Sequence, residues 1–147
     1  NKLTVALTSA ALDTVDQMFG ELTTIDTKDP LNIGGTHLFV GPKNYANANT
    51  LINTQYLANG GTNPYFGRYK VVKCPRFKGT YDDYWAVADL SKALKPFILK
   101  MLEEITLASV TGQDTTIGFM RDEEWFGAQG RYNVGYYAPQ LMIGSAL

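Results

Sequence analysis

From Asp29 to Thr80 the chain is cut again and again by glycine and proline, and this punctuation decides what it can fold into. Asp29-Pro30, Gly34-Gly35, Gly41-Pro42, Asn59-Gly60-Gly61, Asn63-Pro64, Pro75 and Gly79 follow one another. Each fixes φ, removes a backbone donor or frees the chain to turn. Only short elements fit between them. Thr36-His37-Leu38-Phe39-Val40 is a β-rich run between Gly-Gly and Gly-Pro, which reads as a strand. Pro42 suits the first position of a helix striped by Tyr45, Ala48, Leu51 and Ile52, expected to stop near Asn59-Gly60-Gly61. Tyr69 to Cys74 reads as a strand halted by Pro75, and Tyr84 to Ala88 as another.

The flanking stretches carry longer patterns. Thr8 is a good N-cap, and Leu7 can staple to Leu12 across it. Leu12, Val15, Phe19 and Leu22 then recur at spacings of three and four, one apolar helix face. Residues 95–107 carry two signals. Leu99, Leu102, Glu103 and Glu104 favour helix, while Phe97, Ile98 and Ile105 permit strand. Thr115 to Phe119 and Arg131 to Ile143 look extended, with Gly127, Gly130 and Gly135 as bend points. Helix, strand, helix and then several strands make a mixed α+β chain.

Composition excludes several classes. With 147 residues, 45% hydrophobic and 12% aromatic, the chain is one domain or part of a larger one, not a disordered segment. Its net charge of -1 supplies no global field toward DNA or an anionic membrane. No apolar run approaches the ~20 residues of a membrane helix. Cys74 is the single cysteine and His37 the single histidine, so neither a disulfide framework nor a His/Cys metal cluster can form within one chain. A lone thiol suits a reducing compartment.

No catalytic constellation stands out. His37 lies inside a strand-like run and reads as a structural histidine rather than a general base. Cys74 reads as a small half-buried hydrophobe, although Lys73 beside it can lower a thiol pKa. Asp82-Asp83, Glu103-Glu104 and Asp122-Glu123-Glu124 are neighbours in sequence. Neighbours on a strand point to opposite faces, so these read as solvated charges. Neither a Gly-x-Ser-x-Gly elbow nor a Walker loop occurs.

Two patterns remain. From Arg68 to Lys78 the chain holds five basic residues, no acidic ones and interleaved aromatics. This composition occurs in binders of single-stranded nucleic acid; it also describes a strand with one wet edge, or a basic surface meeting acidic neighbours. Conversely, no Asp, Glu, Lys or Arg occurs from Asn44 to Gly67 or from Tyr132 to Leu147. Cores of protein interfaces are depleted of charge and enriched in Tyr, Phe and Met.

The order of several short segments resembles Mu-like phage major head subunits. Leu7-Thr8 with Ala10, Ala11 and Leu12 is similar to a helix that precedes their distal region. Leu38-Phe39-Val40 with Gly41-Pro42, Asn63-Pro64 with Gly67-Arg68, and Tyr69-Lys70-Val71-Val72 with Pro75 follow in the same order. Trp85-Ala86-Val87-Ala88, Lys95-Pro96-Phe97-Ile98 and Gly130-Arg131-Tyr132-Asn133-Val134-Gly135-Tyr136 complete the series. The resemblance spans about residues 7–145.

The resemblance implies the capsid fold of tailed-phage head proteins, and an extended conformation for 95–107. It implies a C-terminal part of such a subunit, with about 7–130 belonging to an axial domain and about 131–147 returning to a peripheral domain. The implied function is a non-enzymatic virion protein, located in the capsid and in the bacterial cytoplasm during assembly. Its partners would be copies of itself in the pentamers and hexamers of an icosahedral shell, with no cofactor and no membrane. Arg68, Lys70, Lys73, Arg76 and Lys78 are the candidates for weak contact with packaged DNA. A single-stranded nucleic-acid module and the shell of a non-viral nanocompartment are the alternatives. Alone, the chain is expected to be a monomer or a weak ring former.

Overall fold

The computed structural model describes residues 2–24, 26–57, 59–111, 120–121 and 124–146. The segment Thr115 to Phe119 and the pair Asp122-Glu123 lie outside the described residues. The chain divides into two compact units, residues 1–96 with 136–147 and residues 97–135. The last dozen residues share a unit with the first 96.

The larger unit is built on a five-stranded mixed sheet of order β1-β7-β4-β2-β3. These strands are β1 (Lys2–Leu3), β2 (His37–Val40), β3 (Lys70–Lys73), β4 (Trp85–Ala88) and β7 (Met142–Ser145). β2 and β3 run parallel, β4 lies antiparallel to both β2 and β7, and β1 is parallel to β7. Lys70, His37, Ala88 and Met142 form one row across four strands. All four residues of central β4 are buried, as a strand covered on both faces requires of a continuous apolar run. The termini are tied beside it: Trp85 Nε1 and Ser145 Oγ both donate to the Val5 carbonyl, at 2.9 and 2.7 Å.

Helix α1 (Ser9–Gly20) starts where the sequence indicates, with the Thr8 hydroxyl accepting from the Ala11 amide. Leu12, Val15 and Phe19 are fully buried with Leu38, Val40, Ile52, Trp85 and Ile143 in one core. Helix α2 (Tyr45–Asn53) differs from its sequence reading at both ends. Residues 42–44 form a turn, with Asn44 as N-cap. The helix stops well short of the glycines because distant groups take its last carbonyls. Asn63 Nδ2 donates to Leu51 O and Thr54 O at 2.7 and 2.8 Å, and the Gly67 amide donates to Ile52 O at 2.9 Å. These bonds satisfy acceptors that another helical turn would otherwise use.

The stretch Arg131 to Ile143, expected as one extended segment, is interrupted. A 3-10 turn at Pro139–Leu141 separates β7 from the preceding strand. One glycine marks a close approach: a Cβ on Gly35 would stand 2.7 Å from Tyr69 Cε1 and would also strike Val87.

The smaller unit is a two-stranded ribbon of β5 (Phe97–Val110) and β6 (Trp125–Tyr136). The ambiguous stretch 95–107 is therefore strand from Phe97 onward. Glu103 pairs with Arg131 at 3.3 Å, while Leu107–Ser109 lie beside Phe126–Ala128, so the strands run antiparallel. Every residue of both strands is exposed.

Candidate assembly and DNA-facing surfaces

The basic segment sits on the sheet edge, since β3 has a neighbour on one side only. Lys70 and Lys73 are exposed at its two ends, and their spacing puts them on opposite faces. Arg68 is engaged: its guanidinium meets Asp16 Oδ2 at 2.8 Å and lies 5.8 Å from the Tyr69 ring centroid. The Lys73 ammonium lies 5.3 Å from the Tyr45 ring centroid on α2. Arg76 and Lys78 are exposed in the turn after Pro75. The five cations thus follow an edge and a turn rather than gathering on one face.

Beneath Arg68 is a polar cluster that sequence reading did not find. Tyr65 donates its hydroxyl to Asp13 Oδ1, and Tyr69 donates to Asp16 Oδ1 at 2.7 Å. Burial, then the adjacent carboxylate, raises both phenols above their ordinary pKa. The only sequence signal is the spacing of Asp13 and Asp16, three apart on α1. Their partners lie more than fifty residues downstream.

The other titratable candidates have structural roles. His37 is half-buried, and its Nδ1 lies 2.9 Å from the Thr36 hydroxyl. Burial pushes the Cys74 thiol up, so the neighbouring lysine does not make it a thiolate. Asp89, 1% exposed, accepts from the Ser91 amide at 2.8 Å and from the Gly34 amide at 3.4 Å. Burial would raise its pKa, but bonds from the Ser91 hydroxyl, the Ser91 and Gly34 amides and the Lys92 charge outweigh this and hold it below the ordinary value. Asp83 pairs with Lys43 at 2.8 Å and raises its pKa. Among the described residues, no three His, Cys, Asp or Glu side chains stand close enough to hold a metal ion. No described helix is long and apolar enough to cross a membrane.

The charge-free stretches divide between core and surface. In the first, Ala48, Ile52 and Tyr65 are buried, while Tyr56, Leu57 and Phe66 are exposed. In the second, Ala138, Leu141 and Ile143 are buried, while Tyr132, Val134, Tyr136 and Tyr137 are exposed. The largest apolar exposure is on the ribbon, where Leu99, Leu102, Ile105, Leu107, Phe126 and Tyr136 are all more than 60% accessible. These side chains lie on both faces of the ribbon, since Leu102 alternates with Leu99, Ile105 and Leu107 along β5.

The family model described as Mu-like prophage major head subunit gpT matches residues 2–77 and 76–146. The chain belongs to this family. Membership makes it a phage head protein with a structural role in the virion capsid. No curated protein matches the chain.

Proposed function

We propose that this Mu-like head subunit self-assembles into an icosahedral shell enclosing DNA, through pentamers and hexamers of its own copies, and performs no bond chemistry. The tailed-phage capsid fold is part of the proposal, with the five-stranded unit as its axial-type body. The observation that carries the assembly role is the ribbon. Strands of 14 and 12 residues are exposed along their whole length and dense in large apolar side chains. A two-stranded ribbon alone is marginally stable in water. Covering that surface on assembly couples the order of the ribbon to the formation of the shell. Head-to-tail contacts between identical subunits close into rings when the rotation per subunit permits.

The basic edge supplies the contact with packaged DNA in this reading. Lys70, Lys73, Arg76 and Lys78 are its exposed cations, and Arg68 contributes through a side chain that stays half exposed beside Asp16. Such contacts neutralise phosphates without reading sequence. Expression of the full-length gene product followed by electron microscopy tests the proposal: closed shells of uniform size are expected, and soluble monomer under all assembly conditions would overturn it.

A further inference from the structure

We propose that Asn59 is a self-modifying site, converted to aspartate or isoaspartate at a rate set by the opening of the turn that holds it. The turn lies between α2 and β3, and Asn59-Gly60 is the single Asn-Gly pair in the sequence. The reaction is intramolecular, so its two partners are always in proximity. The Gly60 nitrogen loses its proton and bonds to the Asn59 side-chain carbon Cγ. The Cγ–Nδ2 bond then breaks, and ammonia leaves with that proton. Water opens the cyclic imide at one of its two carbonyls. One opening gives aspartate; the other gives isoaspartate, with the backbone running through the former side chain. The balance needs only water. Asn59 and Gly60 are both exposed to it, and a Cβ built on Gly60 would meet no atom within 4 Å. The nucleophilic nitrogen is thus sterically open.

The folded turn holds both reacting groups back. The Gly60 amide donates to Leu57 O at 2.9 Å, so its proton rests on an acceptor that is not a base. Asn59 Oδ1 accepts from the Gly61 amide at 3.1 Å, which fixes the carboxamide. Closing the imide requires that carboxamide to turn onto the Gly60 nitrogen. A frame surrounds both bonds: Tyr56 and Thr62 form a bridge, the Leu57 amide donates to Gly61 O at 2.8 Å, and the Asn63 amide donates to Gln55 O at 3.0 Å. Exposed turns of this kind open locally far more often than the whole chain unfolds. Conversion therefore records the opening of the turn. It is also one-way. Isoaspartate lengthens the backbone by a methylene and breaks the register of Tyr56 against Thr62. Either product puts a carboxylate into the stretch from Asn44 to Gly67, which carries no Asp, Glu, Lys or Arg.

Other asparagines lack one requirement or another. Asn63 precedes Pro64, whose nitrogen has no proton to lose, and its Nδ2 is bound to Leu51 O and Thr54 O. Asn47 and Asn49 lie inside α2, where the next amide belongs to the helix. Asn133 Oδ1 accepts from the Val134 amide at 2.9 Å, but the branched valine crowds that nitrogen.

The test follows conversion by peptide mapping with mass spectrometry at mildly alkaline pH. Three samples are compared: the intact folded chain, the same chain unfolded in guanidinium chloride, and a Leu57→Pro variant. That variant removes the Leu57 donor and leaves Asn59-Gly60 in place. Asn59 should convert ahead of every other asparagine in the folded chain. It should do so roughly fivefold or more slowly than in the unfolded chain, since hydrogen bonds must first open. Leu57→Pro should recover most of that difference. Hydrogen exchange on the unmodified chain gives a second reading if the variant fails to fold: the protection of the Gly60 amide should match the slowing of Asn59. An Asn59 that stays intact in the folded chain, or converts there as fast as in the unfolded one, would overturn the proposal. So would a folded Leu57→Pro variant with an unchanged rate, or a Gly60 amide without protection.

Discussion

Tyr69 donates its hydroxyl to Asp16 Oδ1 at 2.7 Å, while the other oxygen of the same carboxylate holds Arg68 at 2.8 Å. One aspartate on α1 thereby anchors two successive residues at the entrance to the edge strand.

Tyr69→Phe removes the donor and leaves the buried ring. A hydrogen bond to a charged group contributes about 1.5–3 kcal/mol, and a loss in that range is expected in denaturant titrations. The solvent-accessible Arg68 side of Asp16 remains paired. A variant as stable as the unmodified chain would show that the bond carries no net stability.

Alkaline pH should unfold the larger unit. The folded pKa values of Tyr65 and Tyr69 lie above the ordinary phenol value, so folding favours their protonated forms. That contribution is complete below about pH 10, the unfolded phenol pKa, and declines as pH rises above it. Phenolate absorbance followed alongside circular dichroism should show two phenols ionising only as structure is lost.

Asp89 gives the opposite dependence. Its folded pKa is lowered, so the stability it contributes is present above about pH 4 and declines as pH falls through its folded value. Asp89→Asn should lower the melting temperature at neutral pH and flatten its dependence on acid. An unchanged acid profile would contradict the assignment.

Gly35→Ala tests the close approach of Tyr69 and Val87. The added methyl forces the ring and the central strand apart, and overpacking of this type costs about 1–3 kcal/mol. Thermal melts should show the loss, and a neutral substitution would mean that the Tyr69 ring moves freely.

Charge reversal at Lys70 and Lys73 tests the DNA-facing edge. Both are exposed and on opposite faces of β3, so the fold should tolerate Lys70→Glu with Lys73→Glu. Particles should assemble in unchanged number and contain less DNA, measured as the ratio of filled to empty heads. Unchanged DNA content would remove the edge from the packaging surface.

What could be read from sequence was what depends on near neighbours. Thr8, Leu12, Val15 and Phe19 define α1 within three turns, and the short strands are framed by adjacent Gly and Pro. The end of α2 was illegible because Asn63 and Gly67 cap it from across a loop. β5 was ambiguous because its periodicity fits helix and strand alike; pairing with β6 decides it. The basic segment was visible as composition, but Asp16 and Tyr45, which occupy Arg68 and Lys73, come from helices placed by the core. The resemblance to head subunits, carried by the order of weak segments, is what the family match establishes.

The central claim is that this chain forms the body of a phage head. Quantitative mass spectrometry of purified DNA-filled heads from a strain carrying the gene tests it most directly. Peptides from residues 2–146 should belong to the most abundant protein of the head, at hundreds of copies per particle. Their absence, or their presence at only a few copies, would contradict the account.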